Sequence, residues 1–235
     1  MIELIALALI PIVGIGTFVY IRDSYDREPV PELLKALALG AVSVVPILIT
    51  GYFISPFQPQ TPPFDAAYRA FITAAANEEI FKLLALAIVF KYNRHFNERF
   101  DGIVYGVFVS LGFAAVENIM YVTSYGPATA ITRALTAVPA HAMFGVFMGY
   151  HFARYQFKDP DRPYHLFAMV AYPIFWHGVY DFILMSSDWV QKSLLVSGTF
   201  IMVTFVVFLI YAHRTGLKRF SRLRARSRKR WTGKT

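Results

Sequence analysis

The chain contains no cysteine. That absence excludes disulfides, thiolate catalysis and cysteine-based metal sites. Charge is also scarce, at 16% of residues. No H-E-x-x-H metalloprotease signature and no Gly-x-Ser-Gly nucleophile can be found. Tyr180-Asp181 matches half of an intramembrane aspartyl pair, but a Gly-x-Gly-Asp partner is missing. There is no internal repeat and no low-complexity linker.

What is present is apolar sequence in long runs. Of 235 residues, 56% are hydrophobic, and the mean hydropathy is +0.46. Stretches of roughly 20 apolar residues are long enough to cross a bilayer as helices. Seven are expected, at residues 3–21, 33–54, 67–90, 102–123, 131–155, 166–186 and 193–212. The first lacks a basic leader region and a small-residue cleavage site, so it is read as a span rather than a signal peptide. The fold class is an all-α polytopic bundle.

The formal charge of +8 follows topology. Connections after the first, third and fifth spans carry Arg22, Arg27, Lys91, Arg94, Arg154 and Lys158, whereas the opposite connections hold little beyond Arg69, Arg133 and Lys192. Ten basic residues from Arg214 to Lys234 follow the last span. The positive-inside rule then places the N-terminus outside and the C-terminus in the cytoplasm. One transmembrane domain over residues 1–213 and a basic cytoplasmic tail over 214–235 are expected. The tail is suited to anionic lipid headgroups, and no nucleic-acid motif accompanies it.

Within this apolar background, ionisable residues are few and ordered. The third span reads Asn77-Glu78-Glu79-Ile80-Phe81-Lys82, the fourth carries Glu117, the fifth His141, and the sixth His177 and Asp181. A charge near the bilayer centre costs about 2.5–3.5 kcal/mol, against about 0.3–0.6 kcal/mol returned by a Leu or Phe. Such residues must face protein or a wet cavity, and they mark a functional site. Counted from the outer helix ends, Glu78, Glu117, His141, His177 and Asp181 lie ~9–15 Å deep at 1.5 Å per residue, so four antiparallel helices place them in one layer. Glu78 and Glu79 project about 100° apart, which predicts different tasks for them. Glu78 is expected to be the reactive group, with Glu79 paired to Lys82 or to a neighbouring span. Two stripes of small residues, Gly102/Gly106/Ser110/Ala114 and Gly145/Gly149, predict close helix packing beside the site. The segment 55–63 holds four prolines and is expected to be extended. His95, His151, His165 and His213 read as interfacial.

This set fits acid–base hydrolysis. A buried glutamate can take a proton from water and return it to a leaving amine. Glu117, His141, His177 and Asp181 form a His/carboxylate set suited to zinc. Alternatively they work without metal, orienting water and stabilising an oxyanion. A proton-coupled transporter is the rival class, because intramembrane Glu, His and Asp also build proton relays; a non-enzymatic scaffold is another.

Four motifs in order carry a resemblance: Glu78-Glu79-x-x-Lys82, Phe113-x-x-x-Glu117, His141-x-x-x-Gly145 and His177-x-x-x-Asp181. With the loop Tyr20-Ile21-Arg22-Asp23-Ser24-Tyr25-Asp26-Arg27-Glu28-Pro29, they resemble the PrsW family of intramembrane proteases, over about residues 15–185. That family belongs with the wider CAAX-protease and bacteriocin-processing group. The resemblance implies peptide-bond hydrolysis with the first motif glutamate activating water. It also implies a single-span membrane substrate such as an anti-sigma factor, cut near the outer face, in a prokaryotic cytoplasmic membrane. The chain departs from the wider group at three positions. Lys82 stands where an arginine one position later is usual, Glu117 where a histidine is common, and Asp181 where an asparagine is common. The two carboxylates favour metal coordination.

Overall fold

The fold follows from where helix-compatible apolar sequence is interrupted. In the computed structural model, residues 2–194 and 197–233 are described. Residues 195 and 196 of the seventh expected span, and Lys234 of the tail, lie outside them. Helix α1 spans Ile2–Arg22. The second expected span divides at Ser43 into α2 (Val30–Val42) and α3 (Val44–Ile54). Pro46 lies one turn on, where a missing N–H and the ring's clash with the preceding turn weaken a helix. The proline-rich segment is not wholly extended: Ser55–Phe57 forms one 3₁₀ turn, in which Pro56 sits near the start where it is tolerated.

The next helix is continuous from 64 to 92 in three parts: α4 (Phe64–Tyr68), a π-helical stretch (Arg69–Ala76) and α5 (Asn77–Tyr92). Then come α6 (Arg99–Tyr125), α7 (Pro127–Leu135), α8 (Ala137–Gln156), α9 (Arg162–Met185), α10 (Ser187–Leu194) and α11 (Gly198–Thr232). The fifth expected span is thus split, with the break at Thr136 (φ −123°, ψ −73°). No strand occurs among the described residues.

Six helical segments are long and apolar enough to cross a membrane: 2–22, 30–57, 99–125, 127–156, 162–185 and 198–232. The expected span at 67–90 is absent from that set, although its helix is about 40 Å long. Glu78, Glu79 and Lys82 lower its apolar character. Exposed Ile10, Val13, Leu48, Phe53, Phe167 and Val207 give the bundle the apolar outer surface that lipid requires.

Helix α6 is the axis of the bundle, packed by α1, α2, α5, α8 and α11. A reciprocal cap starts it: Asp101 accepts from the Glu98 backbone N–H at 2.7 Å while the Glu98 side chain accepts from the helix. The two small-residue stripes meet. A Cβ placed on Gly149 would lie 1.9 Å from the Gly102 carbonyl oxygen, and one on Gly106 would lie 2.6 Å from that of Gly145. The backbones of α6 and α8 therefore touch, which fixes Glu117 beside His141.

Candidate active site

The π-helical stretch runs directly into the Glu78-Glu79 motif. Its wider turns are a recurrent feature near functional sites. Asn77 anchors the junction: its side-chain N–H donates to the Ile47 carbonyl at 2.9 Å, and Thr50 donates to its Oδ1. Gly178 lets α9 approach from the other side, since a Cβ there would sit 2.2 Å from the Phe71 ring. Phe71 belongs to the π-helical stretch, so this contact sets the distance between α9 and the glutamate pair.

All seven residues expected from the sequence meet in one network. Lys82, fully buried, donates to Glu79 Oε1 at 2.8 Å and to Glu78 Oε2 at 3.1 Å. Its Nζ lies 3.4 Å from His141 Nδ1 and 3.9 Å from the centre of the Phe113 ring. His141 Nε2 and Glu117 Oε2 are 2.9 Å apart. His177 Nδ1 lies 2.9 Å from Glu79 Oε1, and its Nε2 lies 3.2 Å from Asp181 and 3.8 Å from Glu78. The His177 ring stacks on Phe144, with centroids 4.9 Å apart, and this holds its plane.

The divergence expected of Glu78 and Glu79 is corrected here. Both reach the same lysine nitrogen, because two methylenes let neighbouring side chains converge where their Cα–Cβ bonds diverge. They differ in exposure instead: the Glu78 side chain is 12% exposed and that of Glu79 is 1% exposed. Glu78, Glu79, His141 and His177 bring one donor atom each to within 4.8 Å of one another. Glu117 and Asp181, expected beside the two histidines as ligands, lie 2.9 Å from His141 Nε2 and 3.2 Å from His177 Nε2. Carboxylates in that position commonly fix the ring and tautomer of a metal-binding histidine.

Arg133, read from sequence only as a topological charge, is part of the site. Its guanidinium donates to Glu117 Oε2 at 2.6 Å and to Asn118 Oδ1 at 2.7 Å. No spacing rule connects it to His141, because the break at Thr136 folds α7 back over the cluster. A cavity of about 270 Å³ opens beside these groups, lined by Glu117, Tyr121, Arg133, His141, His177 and Asp181. His151 and His165, expected at the interface, are instead buried and paired Nδ1 to Nδ1 at 2.9 Å. They stand apart from the cluster.

A model of the PrsW family, described as intramembrane metalloproteases, matches residues 28–212. The chain belongs to the PrsW family. Among curated relatives, the protease PrsW of Clostridioides difficile is 40% identical over 191 residues, covering 78% of this chain and 79% of that protein. That of Geobacillus kaustophilus is 37% identical over 188 residues, covering 80% and 82%. That of Bacillus subtilis is 35% identical over 211 residues, covering 89% and 91%. No solved structure matches the chain. As a PrsW family member with six membrane-capable helices, it is an intramembrane protease and an integral membrane protein of bacteria.

The residues present fit the metal in the family's description. The donor set is two imidazoles and two carboxylates, which suits zinc. The contact between His177 Nδ1 and Glu79 requires a proton or a cation between them, and Glu79 Oε2 is buried without a hydrogen-bond partner. Four carboxylates are set against Lys82 and Arg133, an excess of two negative charges that a proton on His177, held between Glu79 and Asp181, only halves. A bound cation would offset the remainder.

Proposed function

We propose that the chain is a glutamate-dependent, zinc-dependent endopeptidase that cleaves a single-span membrane protein of the anti-sigma factor type near the outer face. The helix at 64–92 is its seventh span, its N-terminus is outside, and its basic end faces the cytoplasm. The observation that carries the reading is the convergence of seven ionisable residues from four helices around one four-donor group. The family resemblance supports the substrate class.

His141, His177 and Glu79 would hold the ion. When bound, it polarises the scissile carbonyl and acidifies water. Glu78, the more accessible carboxylate, removes a proton from water as its oxygen attacks the carbonyl carbon. The same proton passes to the leaving nitrogen as the C–N bond breaks. Lys82 holds Glu78 and Glu79 in place, while Glu117 and Asp181 keep the two imidazoles oriented. Arg133 fixes Glu117 at the cavity rim.

The test is cleavage of a purified single-span substrate by the full-length protein in detergent. Chelation by 1,10-phenanthroline should abolish cleavage, and zinc should restore it. Cleavage that persists under chelation would remove the metal from the proposal.

A further inference from the structure

A second polar constellation lies at the basic end of the bundle, ten residues along α8 from His141 and so about 15 Å from it. There α8, α9 and α11 enclose a cavity of about 370 Å³. Arg154, Lys218, Arg219 and Arg222 line it, together with His151, Tyr150 and Tyr164. Of the two carboxylates near it, Asp159 is already taken by Arg99 and by Arg154 at 2.8 Å, and Asp161 sits at the start of α9 beside His165. Among the described residues, Lys218, Arg219 and Arg222 form no ion pair. Arg219 rests on aromatic faces, 4.8 Å from the centre of Tyr172 and 5.0 Å from that of Phe147. The Tyr150 hydroxyl accepts from Arg154 at 3.0 Å and from Arg222 at 3.4 Å, which leaves its own proton free to donate.

An independent observation points to a ligand. His151 in the cavity wall is 2% exposed, its Nδ1 is occupied by His165, and its Nε2 is buried with no hydrogen-bond partner. Buried polar atoms are seldom left unpaired. Three cations without an ion pair, a free phenol proton and an orphaned imidazole nitrogen together match a phosphoryl group.

We propose that this cavity binds a phosphoryl anion, supplied by the headgroup of an acidic phospholipid. Its position favours the lipid as the source. Lys218 lies six residues beyond Ala212, where the last apolar run ends, so it sits about 9 Å past that run, at headgroup level. Phe167, one turn from the lining residue Tyr164, is exposed and apolar, as an acyl chain would require. The site is independent of the proteolytic reading.

Native mass spectrometry of the full-length protein tests it, with dioleoyl phosphatidylglycerol, dioleoyl phosphatidylcholine and inorganic phosphate as separate probes. One phosphatidylglycerol should be retained where phosphatidylcholine is lost. Lys218→Gln with Arg222→Gln should weaken that binding by about tenfold or more. Arg228→Gln with Lys229→Gln removes the same charge outside the cavity and should leave it unchanged. Binding of inorganic phosphate that phosphatidylglycerol does not displace, lost in the first pair only, would keep the phosphoryl site and make its source soluble. Equal loss in both pairs, or no saturable binding of either probe, would overturn the proposal.

Discussion

Lys82 is the residue on which the site's charge turns. It is wholly buried, and two carboxylates and an imidazole share its ammonium. Removing one member of a buried ion network leaves the others uncompensated, at about 3–5 kcal/mol. Lys82→Met should therefore melt well below wild type, and added zinc should recover part of the difference in a thermal-shift measurement. A melting temperature indifferent to zinc would argue that the glutamates do not bind metal. Arg133 acts through Glu117, so Arg133→Ala should lower kcat by about 10- to 100-fold, as loss of a carboxylate's supporting partner does elsewhere. Arg133→Lys should recover part of it, whereas a merely structural role would show in stability and leave kcat alone. The seven site residues were legible in sequence because charge in an apolar run is costly and therefore conspicuous. Arg133 was not, because a charge near an expected helix end has an ordinary topological explanation.

At the level of elements, close helix approach sets the geometry of the site. Gly178→Ala would drive a methyl into the Phe71 ring, 2.2 Å from the new Cβ. Overpacking of this kind costs about 1–3 kcal/mol, and it would push His177 away from Glu79. Gly178→Ala should lose activity, and Phe71→Leu in the same chain should restore part of it. An alanine at 178 that leaves cleavage untouched would show that the α9 distance is not critical. The glycine stripes of α6 and α8 could be read directly, since a spacing of four places residues on one helix face. The π-helical stretch before Asn77 and the break at Thr136 could not. Neither alters composition, and hydrophobic periodicity does not register one inserted residue or one rotated peptide.

For the whole molecule, the basic end is more structured than its composition suggested. The boundary expected after residue 213 falls inside α11, which continues to Thr232 and returns to the bundle. Arg224 donates to the Arg22 carbonyl at 2.8 Å, and the Trp231 indole donates to Glu98 at 3.1 Å. Beneath it lies the acidic loop between α1 and α2. Burial pushes the Asp23 carboxyl up from 3.8 to about 6, against the Glu28 backbone N–H that donates to it at 2.9 Å. A carboxyl raised in the folded state adds stability that is complete below its unfolded pKa and is lost as pH rises through its folded one. For Asp23 that window runs from 3.8 to about 6. Glu28 is shifted upward by burial too, and it adds to the loss above this window. Asp23→Asn should therefore melt higher than wild type at neutral pH and match it below the window. A difference that grows toward acid would reverse the assignment.

The central claim is that the buried cluster around Glu78 performs proteolysis. It is tested most directly by reconstituting wild type and Glu78→Gln into proteoliposomes with a single-span substrate and measuring cleavage. Loss of a general base typically costs about 10²–10⁴-fold in rate, so the variant should stay folded and helical by circular dichroism while its cleavage falls by that order. A folded Glu78→Gln protein that cleaves at the wild-type rate would contradict the account.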